Sequence, residues 1–257
     1  MLKEKIRMYV TLLKKENRKN YKKLRTLKGK YKGKRCWVIG NGPSLDANDL
    51  EKIKDDYSFA ANRIYYIYDK TTWRPNFYMC QDPRAIKNVV EDACEEKKEL
   101  NVSEIFVSKV LANQLDDTVG KPVFYRLCKS ENPTHIHITK NLPVYVVEGL
   151  SVTYSMIQFA IYMGFSEICL LGVDHNQNTA NEKNVESLHF DKRYKVDLAS
   201  YPTVTEYEYL TSCFKKAKEE CERKGIRIYN ATRGGMLEVF ERRAIETILG
   251  GDNGKEK

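Results

Sequence analysis

The side chains able to do chemistry gather where apolar runs break off. Cys36-Trp37-Val38-Ile39 runs into Gly40-Asn41-Gly42-Pro43-Ser44, and a helix is expected from near Asp46. Glycines at a strand-to-helix turn let a phosphate reach bare backbone N–H groups, where unpaired amides and the helix dipole favour an anion. Two glycines fall short of the G-x-G-x-x-G dinucleotide fingerprint. The same residues also read as an ordinary connection with Pro43 at the first helical position and no ligand. Other apolar runs end in Asn62-Arg63, Gln81-Asp82, Asp174-His175 and Asn230-Ala231-Thr232. Arg63, Arg126, Arg193 and Arg233 carry guanidinium groups that grip phosphate or carboxylate bidentately, and Arg233 stands in a glycine-rich turn at a strand end. His189 lies in a polar loop between Glu186 and Arg193. Its imidazole, with an ordinary pKa of about 6.5, suits general-base work, against the alternative of a surface histidine without a task. His135 and His137 share a strand face, but no third ligand stands at useful spacing, so no metal site is expected. Tyr65, Tyr66 and Tyr68, at helical spacing, read as packing rather than as a platform for a base.

The elements around these residues alternate. Strands are expected at 36–39, 57–61, 77–80, 105–107, 123–125, 144–147, 167–173 and 226–230. Helices are expected at 49–54, 64–68, 83–94, 110–115, 151–163, 204–224 and 237–249, with a long polar loop over 175–202. Strands that are apolar almost throughout, separated by helices, make a parallel sheet covered on both faces. The fold class is therefore α/β and Rossmann-like, and such sheets bind ligands at the carboxyl ends of their strands. That is where the polar residues above fall.

Length and composition narrow the classes. The chain has 257 residues, 42% hydrophobic, enough for one full core and an appended element. Its longest apolar runs are too short to span a bilayer, and no secretory signal is visible, so a cytoplasmic protein is expected. Seven scattered cysteines form no C-x-x-C pair and indicate neither disulfides nor zinc. The net charge of +9 is unevenly spread: residues 1–35 hold 15 Lys and Arg against 2 Glu, and the other 222 residues are mildly acidic. The expected domains are a basic amphipathic helix over 1–35, a nucleotide-binding domain over 36–250 and a disordered tail over 251–257. Leu2, Ile6, Tyr9, Leu13, Leu24, Leu27 and Tyr31 give the arm a weak apolar stripe, interrupted by Asn17 and Asn20. A basic helix of this kind fits an anionic membrane surface, and equally a dimerising or core-packing role. The body lacks a basic surface interleaved with aromatics, so no nucleic-acid partner is expected.

One ordered set of segments resembles a known family. It comprises Val38-Ile-Gly-Asn-Gly-Pro-Ser-Leu45, Ala61-Asn62-Arg63, Ser151 with its apolar helix, and Met163-Gly-Phe-Ser-Glu-Ile168 leading to Leu171-Gly-Val-Asp174. His189-Phe190 and Asn230-Ala-Thr-Arg-Gly-Gly235 complete it. The set resembles the MptE-like 6-hydroxymethylpterin pyrophosphokinases, which share a fold with bacterial CMP-sialic-acid sialyltransferases, over residues 36 to 245. In the sialyltransferase branch the resemblance implies a nucleotide held by Gly40, Asn41, Gly42, Asn62, Ser151 and Thr153. Pro43, Ser44, Arg63 and Asp174 complete that expected site. His189 is then the catalytic base, no metal is used, and Asp82, His175, Tyr194 and Arg233 face substrate or phosphate. That branch's two leaving-group tyrosines are replaced here by Asn176 and Glu182, with Tyr194 or Tyr201 as substitutes. The implied function is an inverting glycosyltransferase with a nucleotide-sugar donor, CMP-linked by analogy, and a glycan or lipid-linked acceptor. It would build bacterial cell-surface polysaccharide, peripheral at the inner face of the cell membrane, with a homo-oligomer left open. The alternatives are an ATP-dependent 6-hydroxymethylpterin pyrophosphokinase, with magnesium on Asp82 and Asp174, and a non-enzymatic nucleotide-binding module.

Overall fold

The computed structural model describes residues 15–96, 100, 102–115, 120–129, 136–176, 179, 187–194 and 202–250. Residues 1–14 of the arm, the tail 251–257, and His135, Glu182, Glu186 and Tyr201 lie outside them.

The first strand shows why the sheet is sandwiched. After α1 (Lys15–Thr26), β1 (Arg35–Ile39) places Cys36 and Val38 in one cluster of core side chains, and Trp37 and Ile39 in another. All four are fully buried, so the strand needs helices on both sides. The chain then steps outward through α2 (Ala47–Lys52), β2 (Tyr57–Ala61), a 3-10 turn at Ile64–Ile67 and β3 (Phe77–Cys80). It continues through α3 (Pro83–Glu96), β4 (Glu104–Ser108), a 3-10 turn at Lys109–Gln114 and β5 (Val123–Tyr125). It returns by β6 (Leu127–Cys128), β7 (Val146–Val147) and α4 (Val152–Met163) to β8 (Glu167–Leu171), on the other side of β1. It ends with α5 (Val204–Lys224), β9 (Arg227–Asn230), β10 (Glu241–Arg242) and α6 (Ile245–Gly250). The spatial order is β10-β9-β8-β1-β2-β3-β4-β5, and every pair is parallel. The expected α/β, Rossmann-like sheet is therefore the fold. Its strand order reverses between β1 and β8, which opens a crevice at their carboxyl ends.

Local signals set the helix limits. Ser151 caps α4 by accepting from the Thr153 amide, and Gly164 ends it at φ +88°. A reciprocal Thr203–Glu206 capping box opens α5, and Gly225 closes it.

Three expectations change. The last helix was expected over 237–249, but it begins only at Ile245. The preceding residues form bends and the short strand Glu241–Arg242, with the Arg242 guanidinium satisfying the Thr232 and Gly234 carbonyls and Asn230 donating to the Leu237 carbonyl. Of the strand expected at 144–147, only Val146–Val147 pairs, in a separate two-stranded sheet with β6. The arm, expected to be a helix reaching residue 35 outside the catalytic domain, joins the core. Its helix stops at Thr26, Leu24 and Leu27 are 1% exposed inside the main cluster, and the Tyr31 ring stacks on Phe165 at 4.9 Å. The two asparagines that interrupt its stripe make contacts: Asn20 accepts from the Phe124 amide of edge strand β5, and Asn17 takes Lys109.

Candidate functional site

The crevice between β1 and β8 holds a cavity of about 130 Å³. Lining it are Gly40, Asn41, Gly42, Asn62, Ser151, Thr153, Asp174, His175, His189 and Tyr194, ten of the residues expected from sequence. Strand ends of β1, β2 and β8 supply five of them, the amino end of α4 two, and the loops after β8 the rest. Pro43, Ser44, Arg63, Asp82 and Arg233 do not line it.

Backbone geometry marks the same place. Among the described residues, the non-glycine positions with positive φ are Asn62 (56°), Leu150 (58°) and His175 (53°). Two line the cavity and the third immediately precedes Ser151. Left-handed backbone at a non-glycine residue is costly and concentrates at functional sites.

The glycine turn works differently from its sequence reading. A Cβ at Gly40 would lie 2.3 Å from the Gly172 carbonyl oxygen, and one at Gly42 would lie 1.8 Å from Asp174 Oδ2. The glycines thus let the β1 and β8 ends close on each other. The Ser44 hydroxyl donates to Asp174 Oδ2 at 2.8 Å and the Ser44 amide points to it at 3.4 Å, so a carboxylate of the chain itself occupies the turn. Pro43 is exposed and precedes the helix rather than opening it. Asp46 caps the six-residue α2, placing a second carboxylate where the phosphate was expected. The positive helix end facing the cavity is that of α4, through Ser151, Val152 and Thr153.

Two neutral imidazoles face the cavity. His189 Nδ1 lies 3.2 Å from the Asn41 carbonyl oxygen, which fixes the tautomer that donates from Nδ1 and carries its lone pair on Nε2. Its ring stacks on Tyr194 at 4.0 Å. Burial, with Arg63 nearby, lowers its pKa to about 4. His175 is 3% exposed and stacks on Tyr207 at 4.2 Å. Thr211 already donates to the Tyr207 carbonyl, so it accepts from His175 Nε2 at 2.8 Å. Burial likewise lowers His175 to about 4. Asp174, 6% exposed, is the one charged side chain in the lining; burial raises its carboxyl above the ordinary range, and the Ser44 bonds oppose that. Asn41 Nδ2 donates to the Ala61 carbonyl at 3.0 Å, while its buried Oδ1 finds no donor among the described residues. A buried amide oxygen in a cavity wall is an acceptor that an N–H or O–H entering the cavity could satisfy.

The remaining candidates have other partners. Arg63 stands behind Tyr194, its guanidinium 5.9 Å from that ring and its Nε 3.6 Å from Asp92. Arg233 grips Asp49 through two contacts of 2.7 Å. Asp82 receives Arg84 at 3.3 Å. Arg193 holds Asp191 and the Tyr66 carbonyl, and Arg126 is exposed. Sequence reasoning missed the apolar wall of Met156, Leu188, Leu210 and Phe214. Two of these come from α5, whose spacing reads only as an amphipathic surface helix.

Residues 13–179 match the family described as 6-hydroxymethylpterin diphosphokinase MptE-like. No curated protein matches the chain. Among solved structures, the MAf glycosyltransferase from Magnetospirillum magneticum AMB-1 is similar at TM-score 0.55 and 16% identity, over 90% of this chain. This chain spans 39% of that protein. The monofunctional alpha-2,3-sialyltransferase Cst-I from Campylobacter jejuni is similar at TM-score 0.50 and 14% identity, over 82% of this chain and 81% of its own. At such identities the likeness is one of fold.

Proposed function

We propose, from the premise that this chain belongs to the 6-hydroxymethylpterin diphosphokinase MptE-like family, that it is a glycosyltransferase moving a sugar from a nucleotide donor to an acceptor hydroxyl. The observation that carries this reading is His189, an imidazole in the cavity lining that burial keeps neutral near pH 7, whose Nδ1 on the Asn41 carbonyl makes Nε2 the basic atom of the ring. In the proposed step the acceptor O–H proton passes to Nε2 as the oxygen bonds to the anomeric carbon. The bond from that carbon to the donor phosphate breaks on the opposite face, and its electron pair leaves with the nucleotide. The amino end of α4 faces the charge that develops on the phosphate. The Asn41 Oδ1 orphan accepts from a donor hydroxyl or amine. Similarity of fold to two glycosyltransferases supports this reading.

The family description itself favours a second reading, diphosphate transfer from ATP to a pterin alcohol. Magnesium would be needed there, and the two carboxylates expected to hold it do not converge. Asp174 lines the cavity and is engaged by Ser44, whereas Asp82 pairs with Arg84 outside it. Among the described residues no group of three His, Cys, Asp or Glu could hold an ion.

A thermal-shift panel of CMP, CDP, UDP, GDP and ATP, each with and without magnesium, tests the choice. Stabilisation by a nucleoside mono- or diphosphate without magnesium, followed by release of that nucleotide from its sugar conjugate, is the expected result. Release of AMP from ATP and hydroxymethylpterin would replace it with the second reading.

A further inference from the structure

The arm's exposed cations are left unexplained by the cavity. From Asn17 to Lys34 the chain carries nine Lys and Arg and no acidic residue. The described part of its apolar stripe faces the protein, since Leu24 and Leu27 are buried in the core and Tyr31 stacks on Phe165. What remains outside is charge: Lys19, Lys22, Lys28, Lys30, Lys32 and Lys34 are all exposed.

The fold fixes where this charge lies. The Gly29 amide bonds to the Tyr162 carbonyl, the Tyr31 amide to Met163, and the Ser166 amide to Lys34. Residues 29–34 therefore cross beneath the carboxyl end of α4, at the amino ends of the strands. Gly164, whose added Cβ would meet Gly29 Cα at 2.8 Å, shows how closely they are held. Lys28 also rims a groove that contains Lys140, Lys216 and Lys224. The groove's two carboxylates, Glu219 and Glu220, are engaged by Lys216, Arg223 and Lys224. At this pole the carboxylates Asp56, Glu104 and Glu167 are engaged by Arg35, Lys23 and Arg227, so the exposed lysines of residues 19–34 add an excess of positive charge there. The cavity sits at the other pole, roughly 16 Å away along the five residues of β1.

We infer that this basic pole is a docking surface for an anionic lipid bilayer, attracted through the charge of residues 17–34 and leaving the cavity facing away from the membrane. A broad, solvated field of lysines complements a sheet of anionic headgroups. Each lysine near such a surface changes partitioning by about fivefold, so four of them dominate it. Attraction of this kind fades once salt shortens the Debye length.

The test uses the full chain and vesicles of phosphatidylcholine with about one-third phosphatidylserine, in cosedimentation. Binding should be strong at low salt and lost at about 0.5 M. Replacing Lys22, Lys28, Lys32 and Lys34 together by Gln should weaken it by a hundredfold or more, about fivefold per residue compounded. The thermal midpoint should stay unchanged, since these side chains are exposed. The same change at Lys87, Lys129, Lys192 and Lys215, elsewhere on the surface, should weaken it less than tenfold. Thermal shift by the best nucleotide should be the same with and without vesicles. The inference is overturned if phosphatidylcholine alone binds as well, if the folded quadruple variant binds like wild type, or if vesicles block the nucleotide. Tighter binding to duplex RNA than to vesicles at equal salt would also overturn it, and would give the pole to nucleic acid.

Discussion

Two histidines buried without charge should make this protein unusually sensitive to mild acid. His175 and His189 have folded-state pKa values near 4 against about 6.5 in the unfolded chain. A base with a depressed folded pKa lets the unfolded state bind more protons, so stability is present above the unfolded pKa. It is lost as pH falls from there towards the folded one. Between about pH 6.5 and pH 5 each imidazole is mostly protonated when unfolded and mostly neutral when folded. That gap of about 1.5 pH units amounts to about 2 kcal/mol per histidine. Discounted for the partial exposure of His189, the pair should cost about 2–4 kcal/mol on moving from pH 7.5 to 5. Carboxylates with ordinary pKa values titrate mainly below this window, and Asp174, raised by burial, acts in the opposite sense by favouring the folded state as pH falls. Urea unfolding at the two pH values measures the loss as a shift in midpoint at constant slope. His175→Gln with His189→Gln, which keeps polar side chains of similar reach, should abolish most of the difference. A wild-type loss under about 1 kcal/mol, or a double variant as acid-sensitive as wild type, would refute the claim that both rings are held neutral by burial.

The other expectations concern the site and the arm. His189→Ala should keep nucleotide affinity, measured by calorimetry, and lose a hundredfold or more in turnover; full activity would remove it as the base. The acid limb of the wild-type kcat/KM profile should fall well below the 6.5 of an ordinary imidazole, towards 4, because the same burial acts on catalysis. Gly42→Val should destabilise by about 2–5 kcal/mol in urea, since its Cβ would displace Asp174 from Ser44; a wild-type midpoint with only nucleotide binding lost would restore the phosphate role of the turn. Leu24→Ala should cost about 2–5 kcal/mol, whereas an arm that is merely appended would show almost none.

The fold was legible because the strong signals are local. Val204–Lys224 carries its own capping box and closing glycine, and its limits were read to the residue. Strand ends could be placed because apolar runs stop at polar pairs, and in this architecture strand ends are the site. What escaped depended on partners distant in sequence. Nothing near Gly42 announces that Asp174, 132 residues later, fills its turn. Leu210 and Phe214 look like any inner face of a helix until His175, just past β8, is seen 5.5 Å from the Phe214 ring. His189 was found by type and resemblance, but its depressed pKa comes from burial, which spacing does not encode. Asn17 and Asn20 looked like defects in an apolar stripe because their partners, Lys109 and Phe124, lie about a hundred positions away.

The bond from Asn20 to the Phe124 amide bears on how copies of this chain can meet. An open sheet invites another strand along its outermost backbone groups. Here one border is the three-residue β5, with a side chain from α1 clipped over its middle residue. The opposite border is the two-residue β10, made of Glu241 and Arg242. Both margins are too short, and one is already stoppered, to seed a continuous ribbon across two molecules. Among the described residues, then, helix faces offer a second copy more surface than the margins of the main sheet do. The geometry of any assembly can be sought on the outward surfaces of α3 and α5, while the sheet stays a private, eight-stranded affair of each chain.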